Sequence, residues 1–389
     1  MNLEVLSIIV FFIGIAIVAY FDRKKIEFKK GVLYRRTKRG KNKIKQIAVK
    51  HKKFFKWFGN ASVIIAFIVS IGGLFLLLQM TNMMIQKPEI GPSAKLILPK
   101  VPVEGVCTHA LCVPFWFWII AIFVIITPHE LMHGFLMATE KIRIKSLGLI
   151  LFLIFPGAFV EPDEKQFQKS KPITRMRVAS VGSIANIIVF LVLSGILLFY
   201  NFAASQIYET KGVQFEGVID NTPAQEVGLK GTITEMNSYK INDYYDFASV
   251  LSNLTAGDKV NIVTTEGVFS FNAGSHPENE TVAFIGISNI STSVEYNQKL
   301  SFLGQPNYSL TIYDWINKLF GWVILLNINV AIINLLPFLP FDGGVMWYSL
   351  FEKYFKKNAK VMILGLTFFT YGIIILNVIG IGRIINLFV

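Results

Sequence analysis

The sequence predicts a polytopic α-helical membrane protein with about six transmembrane helices and one inserted, small, mostly β domain. Three observations carry this reading. Of 389 residues, 53% are hydrophobic and 16% charged, which leaves too little polar surface for a soluble globule. Six apolar runs have about the length, roughly 20 helical residues, that crosses a hydrocarbon core of about 30 Å. They are Leu3–Tyr20, Ser62–Met83, Phe115–Ala138, Val178–Tyr200, Trp315–Leu336 and Val361–Val389. Between the fourth and fifth, Asn201–Thr311 changes character: short β-branched runs at Val213–Ile219, Lys259–Thr264 and Val282–Ile287 are punctuated by Gly, Asn and Pro.

The first run lacks the basic leading region of a cleaved signal peptide, and the positive charge follows it instead, so it is expected to be retained as a helix. Behind it, Asp22–Phe58 carries sixteen Lys or Arg against Asp22 and Glu27, a balance of +14 in a chain of net charge +13. Short basic segments between spans stay on the cytoplasmic side, which places the amino terminus outside. Counting spans from there puts Thr139–Arg177 and Glu352–Lys360 inside, both bearing Lys or Arg. Asn201–Thr311 falls outside, with twelve acids against five bases. The expected location is a cell membrane. The basic stretch reads as a solvated loop beside anionic lipid headgroups, not as a nucleic-acid surface.

Met84–Pro114 is expected as an outer loop. It holds both cysteines, Cys107 and Cys112, in the string CTHALC. A disulfide, a zinc pair with His109 between them, and free thiols all remain open there. In the β segment, the string VIDNTPAQEVGLKG at Val218–Gly231 sets Pro223 and Ala224 at a turn into one helical stretch that Gly228 ends. That string resembles a PDZ domain, over roughly Lys211–Ser291. The resemblance implies a domain on the outer face that receives an extended peptide by strand addition, as a gate or filter for substrates; a rigid spacer is the alternative.

The third run ends in TPHELMHGFLMA, so His129 and His133 stand four apart on one helical face, with Glu130 beside the first. Two imidazoles one turn apart can share a tetrahedral zinc, and the neighbouring carboxylate can serve as general base for water. Ionisable residues inside a span are costly and usually functional. From Pro114, His129 lies fifteen residues in, a depth of about 22 Å at 1.5 Å per residue. A catalytic zinc takes three protein ligands. The best third candidate is Asp342, in NLLPFLPFDGG at Asn334–Gly344, where Pro337, Pro340 and the Gly343–Gly344 pair interrupt a helix. Irregular backbone at membrane depth is tolerated where it is buried in protein or lines a wet cavity.

HELMH, NLLPFLPFDGG and the PDZ-like insertion together resemble the site-2 protease family of intramembrane zinc metalloproteases, over nearly the whole chain after about Ser62. The resemblance implies regulated proteolysis of membrane-anchored protein substrates. It implies one zinc ion per chain with Asp342 as third ligand, and Asn334 as a holder of substrate backbone. The string GSIAN, Gly182–Asn186, matches a Gly-x-x-x-Asn feature on the span after the zinc helix. Asn186 is therefore expected to bond substrate or the catalytic loop, with helix packing as the alternative. Leu147–Val160 is short for a span and by the same resemblance is a re-entrant β-hairpin that aligns an extended substrate. Met132 stands where Gly is frequent in the family, and two spans precede the family core; both leave the subgroup open. A polar channel is expected near Glu161, Asp163 and Glu164. The rival reading is an inactive scaffold that binds outer-face peptides. A transporter would suit inverted repeats, which the sequence does not display.

Overall fold

The computed structural model describes residues 3–29, 31–87, 91–100, 107, 110–152, 155–205, 208–276, 279–296 and 307–380. The chain divides into two compact units, one of Met1–Gln86, Pro92–Gly195 and Lys318–Val389, the other of Lys87–Gly91 and Ile196–Asn317.

The first unit is mainly helical. Helix α1 (Leu3–Phe21) is followed by a hairpin of β1 (Ile26–Lys29) and β2 (Val32–Thr37), then by α2 (Lys41–Lys50) and the long α3 (Lys52–Gln86). Short strands β3 (Leu96–Pro99) and β4 (Ala110–Val113) pair in parallel. Cys107 and Cys112, the latter within β4, are disulfide-bonded, which closes the alternatives left open by their sequence. Next come α4 (Phe115–Thr139), β5 (Ile144–Phe152), β6 (Phe155–Pro162), α5 (Glu164–Lys169) and α6 (Pro172–Ser205).

The second unit is mostly β. Its main sheet runs in the order Gly267–Asn272, Lys259–Thr264, Ile233–Met236, Tyr208–Gln214, Ser291–Tyr296. Val213, Ile233, Met236, Phe247, Val260 and Ile262 fill its core. The expected helical stretch is the four-residue α7 (Pro223–Glu226). Gly228 ends it at φ +62°, with Leu229 N–H returning to the Ala224 carbonyl at 2.8 Å. A second helix, α8 (Tyr244–Ser252), was not expected from the sequence; Asp243 caps it by accepting from Asp246 N–H at 3.0 Å.

The chain continues with α9 (Asn307–Leu335), α10 (Asp342–Phe355) and α11 (Ala359–Ile379). Five helical stretches among the described residues are long and apolar enough to cross a membrane: α3, α4, α6, Ile312–Leu335 of α9, and Asp342–Ile379. Val5–Phe21 is a shorter apolar helix. This is a polytopic helical membrane protein, with the first of six expected spans the shortest. Of the expected last span, 381–389 lies outside the described residues.

Two expectations need correction. The basic stretch is not a loop: β2 pairs with β5, giving a four-stranded sheet in the order β1-β2-β5-β6. In α2, Ile44 and Ala48 are buried, and Ile44 packs in one cluster with Leu136 and Met137 of α4. Three apolar residues at i, i+3 and i+4, Ile44, Ile47 and Ala48, suffice to seat a short helix, and the surrounding charge hides them in a composition count. The sequence also reads NLLPFLPFDGG, with Asp342, as the end of the fifth span, and this does not hold. Asp342 opens α10, which Lys356–Asn358 joins to α11 where a loop at Glu352–Lys360 was expected. Leu339 N–H donates to Thr367 Oγ1 at 3.1 Å, and Asn377 Nδ2 donates to Thr81 Oγ1 at 2.7 Å. Such bonds hold helices together where apolar packing discriminates little between protein and lipid.

Candidate metal centre

Helix α4 presents His129 and His133 to the interior of the first unit, 9% and 7% exposed. Pro128 precedes them inside the helix, where its missing N–H leaves one carbonyl of the preceding turn without its helical donor. The third group arrives across an interruption between two helices. After α9 ends at Leu335, the segment Leu336–Phe341 reverses locally, and α10 starts at Asp342. Gly343 and Gly344 permit this. A Cβ on Gly343 would lie 2.2 Å from the Leu335 carbonyl oxygen, and one on Gly344 would lie 2.5 Å from the Phe338 carbonyl. These residue types let the first turn of α10 press onto the end of α9. They place the Asp342 carboxylate in the first turn of α10, where the helix dipole favours negative charge.

His129 Nε2, His133 Nε2 and Asp342 Oδ2 converge. The two imidazole nitrogens are 3.1 Å apart, and Oδ2 lies 3.2 Å from His129 and 3.3 Å from His133. A tetrahedral zinc with bonds of about 2.0–2.1 Å sets its donors about 3.3 Å apart. The donor chemistry fits as well as the spacing. His133 Nδ1 donates to the Val178 carbonyl at 2.6 Å, which leaves its Nε2 with a lone pair. Asp342 Oδ2 is buried without a hydrogen-bond partner. Electron-pair donors facing one another in a buried space are relieved by a cation between them. Among the described residues these three form the group of His, Cys, Asp or Glu able to hold a metal ion.

Glu130 is half-buried, and its Oε2 accepts from the backbone N–H of Val160 at 2.8 Å. Val160 belongs to β6, which pairs with β5 from Ile144↔Pro162 to Phe152↔Phe155. Strand β6 is the edge of its sheet, so the sheet edge meets the carboxylate next to the histidines. Gly182 on α6 closes the other side: a Cβ there would lie 2.4 Å from His133 Nε2 and 2.7 Å from His129 Nε2. Asn186, fully buried, brings its carboxamide to 3.4 Å from His129 Nδ1. Asn334 is half-buried near the end of α9 and is not among the groups hydrogen-bonded to the trio. Glu161 bonds the Ser146 hydroxyl and Arg36, while Asp163 caps α5 by accepting from Gln166 N–H at 3.2 Å. The Val178 carbonyl and the Val160 N–H carry no side-chain signature and were not foreseen.

Apolar spanning helices around a buried two-histidine, one-carboxylate centre define a membrane-embedded metalloenzyme. Residues 117–376 match the model of peptidase family M50, and the chain belongs to that family. It is 28% identical over 375 residues to an uncharacterized protein of Methanocaldococcus jannaschii, covering 92% of this chain and 89% of that one. It is 25% identical over 260 residues to a protein of Staphylococcus aureus strain COL named "Putative zinc metalloprotease". A protein of the same name from strain N315 is 25% identical over 261 residues. In both of these alignments 54% of this chain matches 59% of the relative.

Proposed function

We propose that the protein hydrolyses peptide bonds within or beside transmembrane segments of membrane-anchored protein substrates, with His129, His133 and Asp342 holding one zinc ion. The observation that carries this reading is the convergence of three donor atoms at 3.1–3.3 Å inside a bundle of apolar helices. Bound there, zinc would supply a Lewis acid for the scissile carbonyl and would make water at the site acidic enough to act as a nucleophile at neutral pH.

Glu130 takes the proton of the attacking water and hands it to the leaving amine. Its hydrogen bond from Val160 fixes where that carboxylate starts. A substrate helix hides its carbonyls in its own hydrogen bonds, so it has to unwind before cleavage. The β6 edge offers an extended template for the unwound stretch, in keeping with a re-entrant hairpin, and the Asn334 carboxamide holds its backbone. Water reaches the site along the polar groups near Glu161, Asp163 and Glu164.

The basic segment Asp22–Phe58 lies on the cytoplasmic side, with the amino terminus and the β-rich unit outside a cell membrane. That unit is PDZ-like over about Lys211–Ser291 and filters substrates by binding peptide. An inactive scaffold is disfavoured by the intact set of His129, Glu130, His133 and Asp342.

The deciding experiment is cleavage of a single-span substrate by the purified protein in detergent, wild type beside Glu130→Gln, with zinc content measured for both. Wild type is expected to cut within the span. The variant is expected to keep its zinc and lose at least about 10²–10⁴-fold in rate. Zinc in both with cleavage by neither, across several substrates, would favour the scaffold.

A further inference from the structure

We infer that Asn186 is a positioning residue of the metal centre: its carboxamide oxygen accepts the Nδ1 proton of His129 and so holds that imidazole in the tautomer whose Nε2 lone pair faces Asp342. The inference rests on the metal reading above and extends it to an outer set of groups supplied by α6.

Val178, Gly182 and Asn186 stand at i, i+4 and i+8, one stripe of α6. Each meets the histidine pair in a different way. The Val178 carbonyl accepts from His133 Nδ1 at 2.6 Å, the bare Cα of Gly182 lets the two helices close, and the Asn186 carboxamide lies 3.4 Å from His129 Nδ1. His133 thus has a backbone acceptor that fixes its tautomer. His129 needs an equivalent, and the group within reach is Asn186.

Either end of a carboxamide can occupy such a contact. With the amide nitrogen there, His129 Nδ1 has to accept, its proton sits on Nε2 and points into the trio, and Asn186 Oδ1 remains buried without a partner. With the oxygen there, Nδ1–H donates, Nε2 is free to ligate, and the orphaned oxygen is satisfied. The second arrangement frees the ligating nitrogen, and the unpaired position passes from the carboxamide oxygen to its nitrogen. Asn186 is 0% exposed, so it has little to offer a substrate chain, and this sets it apart from half-buried Asn334.

The test compares zinc affinity by chelator competition, and the visible spectrum of the cobalt-substituted protein, for wild type, Asn186→Leu and Asn186→Asp in detergent. Losing an outer partner of a ligating histidine weakens metal binding about 10–100-fold. That is the loss expected for Leu, with an altered cobalt spectrum. Asp keeps an acceptor and should bind at least as tightly as wild type. Leu with wild-type affinity overturns the inference, as does Asp weakened as much as Leu. If the Leu variant does not fold, Asp against wild type decides alone: equal or tighter binding supports the inference, and a tenfold loss refutes it. A wild type without zinc affinity would sink the metal reading itself, and this inference with it.

Discussion

The metal centre and the basic segment ahead of it obey the same packing physics with opposite legibility. In α4, the spacing of His129 and His133 in sequence is the spacing of their rings in space, because a helix turn converts four residues into one face. In Asp22–Phe58, β1 and β2 pair locally, but the sheet that holds them is completed far along the chain: β2 pairs with β5, Val32 opposite Phe152 and Thr37 opposite Leu147. Local periodicity declares a helix; strand pairing across more than a hundred residues declares nothing locally. Charge compounds the difference, since sixteen cations make a folded segment look solvated.

The comparison breaks most sharply at the α9–α10 junction, where both kinds of information meet. Gly343→Val is expected to lower cleavage at least a hundredfold and to reduce bound zinc, since even a displacement of about 1 Å of a reacting group can cost that much. Bound zinc and cleavage rate, measured together, check it. Normal zinc and rate would mean that α10 is not held against Leu335 and Leu336 as the structure has it.

On the other side of the comparison, Ile44→Ala in α2 should destabilise the protein by about 2–5 kcal/mol, and the adjacent exposed Lys45→Ala by no more than about 0.5 kcal/mol. Denaturation midpoints in detergent measure both. Equal, negligible effects would restore the solvated-loop reading of the basic segment.

A smaller effect sharpens the link between the two regions, because the sheet that the basic segment extends ends at β6 against Glu130. Val160→Pro removes the N–H that Glu130 accepts while suiting an edge strand. A hydrogen bond to a charged group contributes about 1.5–3 kcal/mol, so the turnover rate should fall about tenfold or more with zinc content unchanged. A variant as fast as wild type would show that Glu130 does not depend on the sheet.

The smallest expected effect belongs to the β-rich unit, where Asp258 accepts from Thr255 N–H at 2.7 Å and from its hydroxyl at 2.9 Å. These bonds, the backbone one first, lower its pKa below the ordinary 3.8. A depressed carboxylate stabilises the fold above its unfolded pKa, and that increment disappears as pH falls through the folded one. Melting curves between about pH 6 and 2 should show Asp258→Asn losing less stability on acidification than wild type, by a slight margin since the group is exposed. Parallel curves would remove the effect.

Much of the site was open to sequence reasoning because its elements are local: an HExxH turn, a Pro-interrupted span, an Asp-Gly pair. Chain length and hydrophobicity likewise determined the polytopic helical class, and β-branched runs with Gly and Asn marked the inserted β-rich unit. What the sequence could not determine is everything that depends on which surfaces meet. The tertiary structure alone decided that Asp342 opens a separate helix, that a basic segment becomes two strands and a helix, and that Val160 N–H and the Val178 carbonyl reach α4. Those contacts are made by backbone atoms or by apolar faces of ordinary composition. Their specificity lies in the pairing of segments distant in sequence, where no single stretch holds the information.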